Sequence, residues 1–89
     1  MNRTTTFPLP SLNGMVHLKG YEKPVSPQVA SAIVELGNET TRPGGEAKLR
    51  SALKSCGQQL TVDELGKILV ENNGLTQAEA EWVASAALR

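Results

Sequence analysis

From residue 25 onward the apolar positions fall at helical spacing, in four blocks. In the first, Val29, Ile33 and Leu36 form one stripe, with Ala30 and Ala32 beside it. Ser26 is placed as an N-cap and Pro27 as the first helical residue, where a missing N–H has no partner to lose. Gly37-Asn38 predicts the end of this helix, through a residue in the left-handed region. The polar stretch 38–45 then predicts a loop of ordinary length. A second helix is predicted over 46–56, where Leu49, Ala52, Leu53 and Cys56 stand at i, i+3, i+4 and i+7. Gly57 is its stop.

The third and fourth blocks carry the sharpest local signals. Thr61-x-x-Glu64 is a capping box, with Leu60 and Leu65 placed for a hydrophobic staple. Leu65, Ile68 and Leu69 supply the buried face. Gly66 inside this helix costs about 1 kcal/mol against alanine, which predicts a close helix–helix approach there. Asn72-Asn73-Gly74 ends the helix. Thr76-x-x-Glu79, preceded by Leu75, repeats the device. Ala78, Trp82 and Ala86, with Val83 and Ala87, predict the apolar face of the fourth helix. Residues 61–89 therefore read as an αα-hairpin, with Glu64 and Glu79 as capping carboxylates and Trp82 as its central packing residue.

The N-terminal part is different. Three threonines followed by Phe7-Pro8-Leu9-Pro10 favour extended backbone, because proline fixes φ and restricts its predecessor. Asn13-Gly14 is a two-residue turn signal. Met15 to Lys19 alternates, with Val16 and Leu18 on one face and His17 and Lys19 on the other. The expected fold is mainly α: a small bundle of about four short helices with an N-terminal extended arm or short β-hairpin. The arm or hairpin spans 1–22 and the helical domain 23–89.

Composition narrows the picture. A chain of 89 residues buries about two-thirds of the surface its unfolded form exposes, so the core is modest. Phe7, Tyr21 and Trp82 are the only aromatic residues, which makes that core aliphatic. Nine basic and nine acidic residues cancel, against a generic polycationic coat for nucleic acid. The balance is uneven: residues 1–59 carry seven basic and four acidic side chains, net +3, and residues 60–89 carry two and five, net −3. Cys56 is the only cysteine, so an intramolecular disulfide is impossible and a reducing compartment is expected. No secretory signal is visible in the first residues, and no apolar run of the sequence approaches the length of a membrane span. The expectation is a cytoplasmic protein with no membrane contact.

No catalytic constellation is visible. The chain has one histidine (His17), one cysteine (Cys56) and one aspartate (Asp63), and no serine sits in a nucleophile elbow. Cys56 lies on the predicted apolar stripe of the second helix and reads as a small core residue. The ligand count is too low for a metal site, and no cofactor is implied. Arg42-Pro43-Gly44-Gly45 lacks the phosphate-loop pattern and reads as a flexible loop. A non-enzymatic protein is expected.

Two binding classes remain. Arg50 and Lys54 share one stripe of the second helix with Glu46, with Lys48 near it; Arg42 precedes it. Such cations are phosphate contacts under a nucleic-acid reading and a solvated face otherwise. In outline, residues 16–53 resemble the ribbon-helix-helix family of dimeric DNA-binding proteins. Val16-His17-Leu18-Lys19 stands as the ribbon, Ser26 to Leu36 as the first helix and Glu46 to Leu53 as the second. The resemblance implies a dimeric transcriptional regulator in which His17 and Lys19 face the major groove, with Lys48, Arg50 and Lys54 as further DNA contacts. It carries no diagnostic motif, and the chain departs from the pattern in two places. Six residues separate strand from helix, and the interhelical loop is long and contains Pro43-Gly44-Gly45.

The principal expectation is a small regulatory or inhibitory protein that acts by protein–protein interaction. Its candidate contacts are Phe7 and Leu9 in the arm, Glu71, Glu79 and Glu81 on an acidic face of the last two helices, and Trp82, since tryptophan is enriched at interface hot spots. Another protein is the expected partner. A homodimer is also expected, because small cores often gain stability that way.

Overall fold

A computed structural model describes residues 15–89 of the chain. Four helices account for most of them: α1 (Pro27–Gly37), α2 (Arg42–Cys56), α3 (Val62–Asn73) and α4 (Gln77–Leu88). No sheet forms among the described residues, so the mainly α class read from the sequence holds there. The Phe7-to-Pro10 arm and a hairpin at Asn13-Gly14 lie outside the described residues.

Short polar connections force consecutive helices antiparallel. α1 lies along α2, with Lys48 reaching Glu35 and Cys56 reaching Ser26. α3 lies along α4 across the Gly74 turn. The two hairpins then stack. α1 and α3 end side by side, at Gly37 and Asn73. α2 and α4 also share a direction: Arg50 donates to the carbonyl of Ala87 at 3.2 Å, and the charge of Arg42 is felt by Glu79. Between them lies an aliphatic core of Val25, Val29, Ile33, Leu36, Leu49, Leu65, Ile68, Leu69 and Val83. Each of these side chains contributes roughly 1.5–3 kcal/mol by leaving water.

The capping signals act as the sequence predicts. The Ser26 hydroxyl accepts from the Val29 N–H. Both threonine boxes are complete, with Thr61 and Glu64, and Thr76 and Glu79, exchanging side-chain and backbone bonds. Gly57 and Gly74 take left-handed C-cap positions, with φ of 64° and 72°.

Five local expectations need correction. First, α1 does not end on a left-handed residue: Asn38 is extended at φ −98°. Its last carbonyls are met from the next element instead. The Thr41 hydroxyl donates to Glu35 O at 2.6 Å, and Arg42 Nε donates to Leu36 O at 3.0 Å. Second, α2 begins at Arg42 rather than residue 46, so Arg42-Pro43-Gly44-Gly45 is a helical turn and not a loop. Pro43 sits where its missing N–H is not needed. Third, Cys56 is exposed. It is the last residue of α2, where the stripe of Leu49 and Ala52 runs past the end of the core. Its thiol donates to Ser26 Oγ at 3.2 Å.

Fourth, α4 is rotated from the predicted face. Ala80, Val83, Ala84 and Ala87 are buried, while Ala78 is exposed and Trp82 is 67% exposed. The apolar residues of α4 are spread around the helix, with Trp82 and Ala78 on one side and Ala80, Val83, Ala84 and Ala87 on another, so its own pattern does not choose a face. Fifth, Met15 to Lys19 alternates as expected, Val16 and Leu18 inward, but forms no ribbon. It makes one antiparallel bridge, Val16 to Val25, and the two residues exchange backbone bonds of 2.8 Å. The turn between them runs through Gly20, at φ 82°.

Candidate interaction surface

The α3–α4 hairpin carries four of the six protein-contact candidates, Glu71, Glu79, Glu81 and Trp82, and it separates them. On one flank a groove of about 360 Å³ runs between the two helices. Its floor is Val62, Gly66 and Val70, a second apolar line on α3 at i, i+4 and i+8, set beside the buried line of Leu65, Ile68 and Leu69. Its rim is Asp63 and Lys67 from α3 and Gln77 and Glu81 from α4. The Val62–Gly66–Val70 spacing is present in the sequence. The fuller stripe of leucine and isoleucine beside it accounts for the helix and leaves that spacing unused.

Of the acidic candidates, Glu81 alone lines this groove. Glu79 stands at the first turn of α4, where the Thr76 backbone N–H and hydroxyl donate to Oε1 at 3.0 and 3.1 Å. Those two bonds, and then the charge of Arg42, hold its carboxyl below the usual glutamate range. Its capping role is thus seen directly. Glu71 is exposed and lies against Gly20, together with Lys67. The extended segment is tied down at this point: Lys19 N–H donates to Asn72 Oδ1 at 3.2 Å, and Asn72 Nδ2 donates to Lys19 O at 2.8 Å. Phe7 and Leu9 lie outside the described residues.

Trp82 lies on a different part of α4 from the groove. It is the most exposed of the large apolar side chains described, ahead of Val34 and Met15. The expectation of a packed core tryptophan fails because the helix is turned by its smaller residues. Only Ala80, Ala84 and Ala87 let α4 approach its neighbours closely, with Ala80 facing Gly66 across the α3–α4 seam. A methyl built at Gly66 stands 3.9 Å from Ala80 O, an ordinary contact. The approach there is close but does not require glycine.

The basic candidates are dispersed and partly occupied. Lys48 Nζ pairs with Glu35 Oε2 at 2.6 Å and donates to Ser31 Oγ at 3.3 Å. Arg50 caps the end of α4 through Ala87, and Arg42 caps the end of α1 through Leu36. Such cations complement the negative end of a helix. Lys54 is exposed in the last turn of α2. His17 and Lys19 are exposed on the extended segment, and Lys19 is held at the end of α3. That is the end of the bundle where α2 starts, so Lys19 and Lys54 are not brought together. Among the described residues no three His, Cys, Asp or Glu side chains converge as metal ligands would. No helix described is long and apolar enough to cross a membrane.

The chain matches no protein-family model, no curated protein and no solved structure.

Proposed function

We propose that this chain is a non-enzymatic protein-interaction module that holds a segment of another protein in the α3–α4 groove, in a regulatory or inhibitory role. The observation that carries the reading is the groove itself: an apolar floor of Val62, Gly66 and Val70 under a rim that includes Asp63 and Glu81. A floor of this kind takes one face of an amphipathic segment, as helix-in-groove recognition does. The rim carries Asp63 and Glu81 against Lys67; its net negative charge, with the net −3 of residues 60–89 behind it, favours a basic segment and steers its approach. Glu81 and Asp63 thereby take the leading part among the acidic residues, Glu71 adds to the field, and Glu79 serves the helix start. The nucleic-acid alternative draws less support, because Lys48, Arg50 and Arg42 already serve contacts within the fold.

The test is selection of binders from a displayed random-peptide library, with Val70→Asp as the comparison. Enrichment of peptides that combine leucine-like and lysine or arginine positions is expected. Their binding is lost in Val70→Asp and weakened at least about tenfold in Glu81→Lys. Enriched peptides that bind Val70→Asp equally well sink the reading, as does a selection that enriches nothing.

A further inference from the structure

A second surface lies away from the groove. We propose that α4 pairs antiparallel with α4 of a second copy of this chain, each Trp82 packing over Ala86 of its mate.

Trp82 is 67% exposed, yet it is not at a loose end of the fold. The Thr76–Glu79 capping box fixes the start of α4. Ala80, Val83, Ala84 and Ala87, all buried, fix its rotation. Trp82 is therefore held outward on a rigid helix, flanked one turn away on each side by Ala78 and Ala86. An indole between two alanines is a knob beside two shallow depressions. A large aromatic side chain buries about 150–250 Å² when fully covered, and 67% of Trp82 is still open.

Charge complementarity within α4, with Glu79 at its start and Arg89 at its end, points to a second copy as the occupant. In a twofold antiparallel pairing the same patch meets itself, so contacts come in reciprocal pairs. Setting Trp82 of one copy over Ala86 of the other sets Ala86 of the first under Trp82 of the second. The same register brings Arg89 opposite Glu79, twice. Arg89 is exposed at the end of α4. On Glu79 the capping bonds use Oε1, which leaves the other carboxylate oxygen to face a guanidinium. Helix dipoles oppose each other in this arrangement, which favours it further. The groove is lined by Gln77 and Glu81 and not by Trp82, so the two proposals rest on different residues and are tested separately. A single short helix pair lies below the roughly 1,200 Å² of stable interfaces, so the dimer is a weak one.

Trp82 is the only tryptophan, which makes it the reporter. The experiment is sedimentation velocity over a concentration series, with tryptophan emission recorded on the same samples. A monomer–dimer equilibrium is expected, with emission moving to shorter wavelength as dimer forms. Trp82→Ala and Ala86→Lys are expected to stay monomeric while keeping their helical circular dichroism. Arg89→Glu is expected to raise the dissociation constant at least about tenfold at low salt, less at high salt. A chain that stays monomeric up to millimolar concentration overturns the proposal, and so does a dimer that survives Trp82→Ala. A dimer indifferent to Arg89→Glu overturns the antiparallel register.

Discussion

Gly45 lies backbone to backbone against Leu36: a methyl built on Gly45 would stand 2.7 Å from the Leu36 nitrogen. The backbones of α1 and α2 come so close here that only a glycine fits, which explains a glycine inside a helix. Gly45→Ala is expected to destabilise the fold by about 1–3 kcal/mol, the usual penalty for overpacking. Gly44→Ala is the control, since nothing lies within 4 Å of a methyl there. It should be neutral or stabilising by up to about 1 kcal/mol. Urea denaturation of the two variants checks the contrast.

Gly66 sits inside α3 with ordinary room for a methyl. Gly66→Ala should raise stability by up to about 1 kcal/mol through helix propensity. A loss of stability by thermal unfolding would show that the α3–α4 seam is tighter than its contacts imply.

Arg50 spans from α2 to the last turn of α4 by its bond to Ala87 O. Arg50→Ala should cost about 0.3–1 kcal/mol, typical of a cation at a helix C-terminus. The loss should shrink with added salt. A stability unchanged in denaturant titration would return Arg50 to the pool of free surface cations.

The Glu79 carboxyl titrates below its ordinary value because Thr76 donates to it twice, with Arg42 adding its charge. Its folded value is thus lower than its unfolded one. The stabilisation is fully present above the unfolded value and is lost as pH falls through the folded one. Carbon-detected titration should place Glu79 below an exposed glutamate. Thr76→Ala should move it back up, and the acid limb of the stability curve should flatten with it.

Cys56 is exposed at the end of α2. It should react with a thiol reagent in the native protein at a rate close to that of the protein in denaturant. Strong protection would restore it to the core, where its place on the apolar stripe first put it.

The existence of four helices, both capping boxes, the Gly57 and Gly74 stops and an aliphatic core were all determined by the sequence alone. Each depends on residues within one or two turns of one another, so local pattern is enough. Tertiary structure decided the rest. α2 starts at Arg42 because Thr41 and Arg42 find the open carbonyls of Glu35 and Leu36, partners that exist only once α1 is folded beside them. Arg50 and Lys48 look like free cations in the sequence and become bonded ones only across helix pairs. α4 shows the limit most clearly. With five alanines, valine, leucine and tryptophan spread around its circumference, it has no single apolar stripe to set its rotation. Close packing against α3 and α2 selected the small residues for the inside and left Trp82, the largest apolar side chain in the protein, facing out.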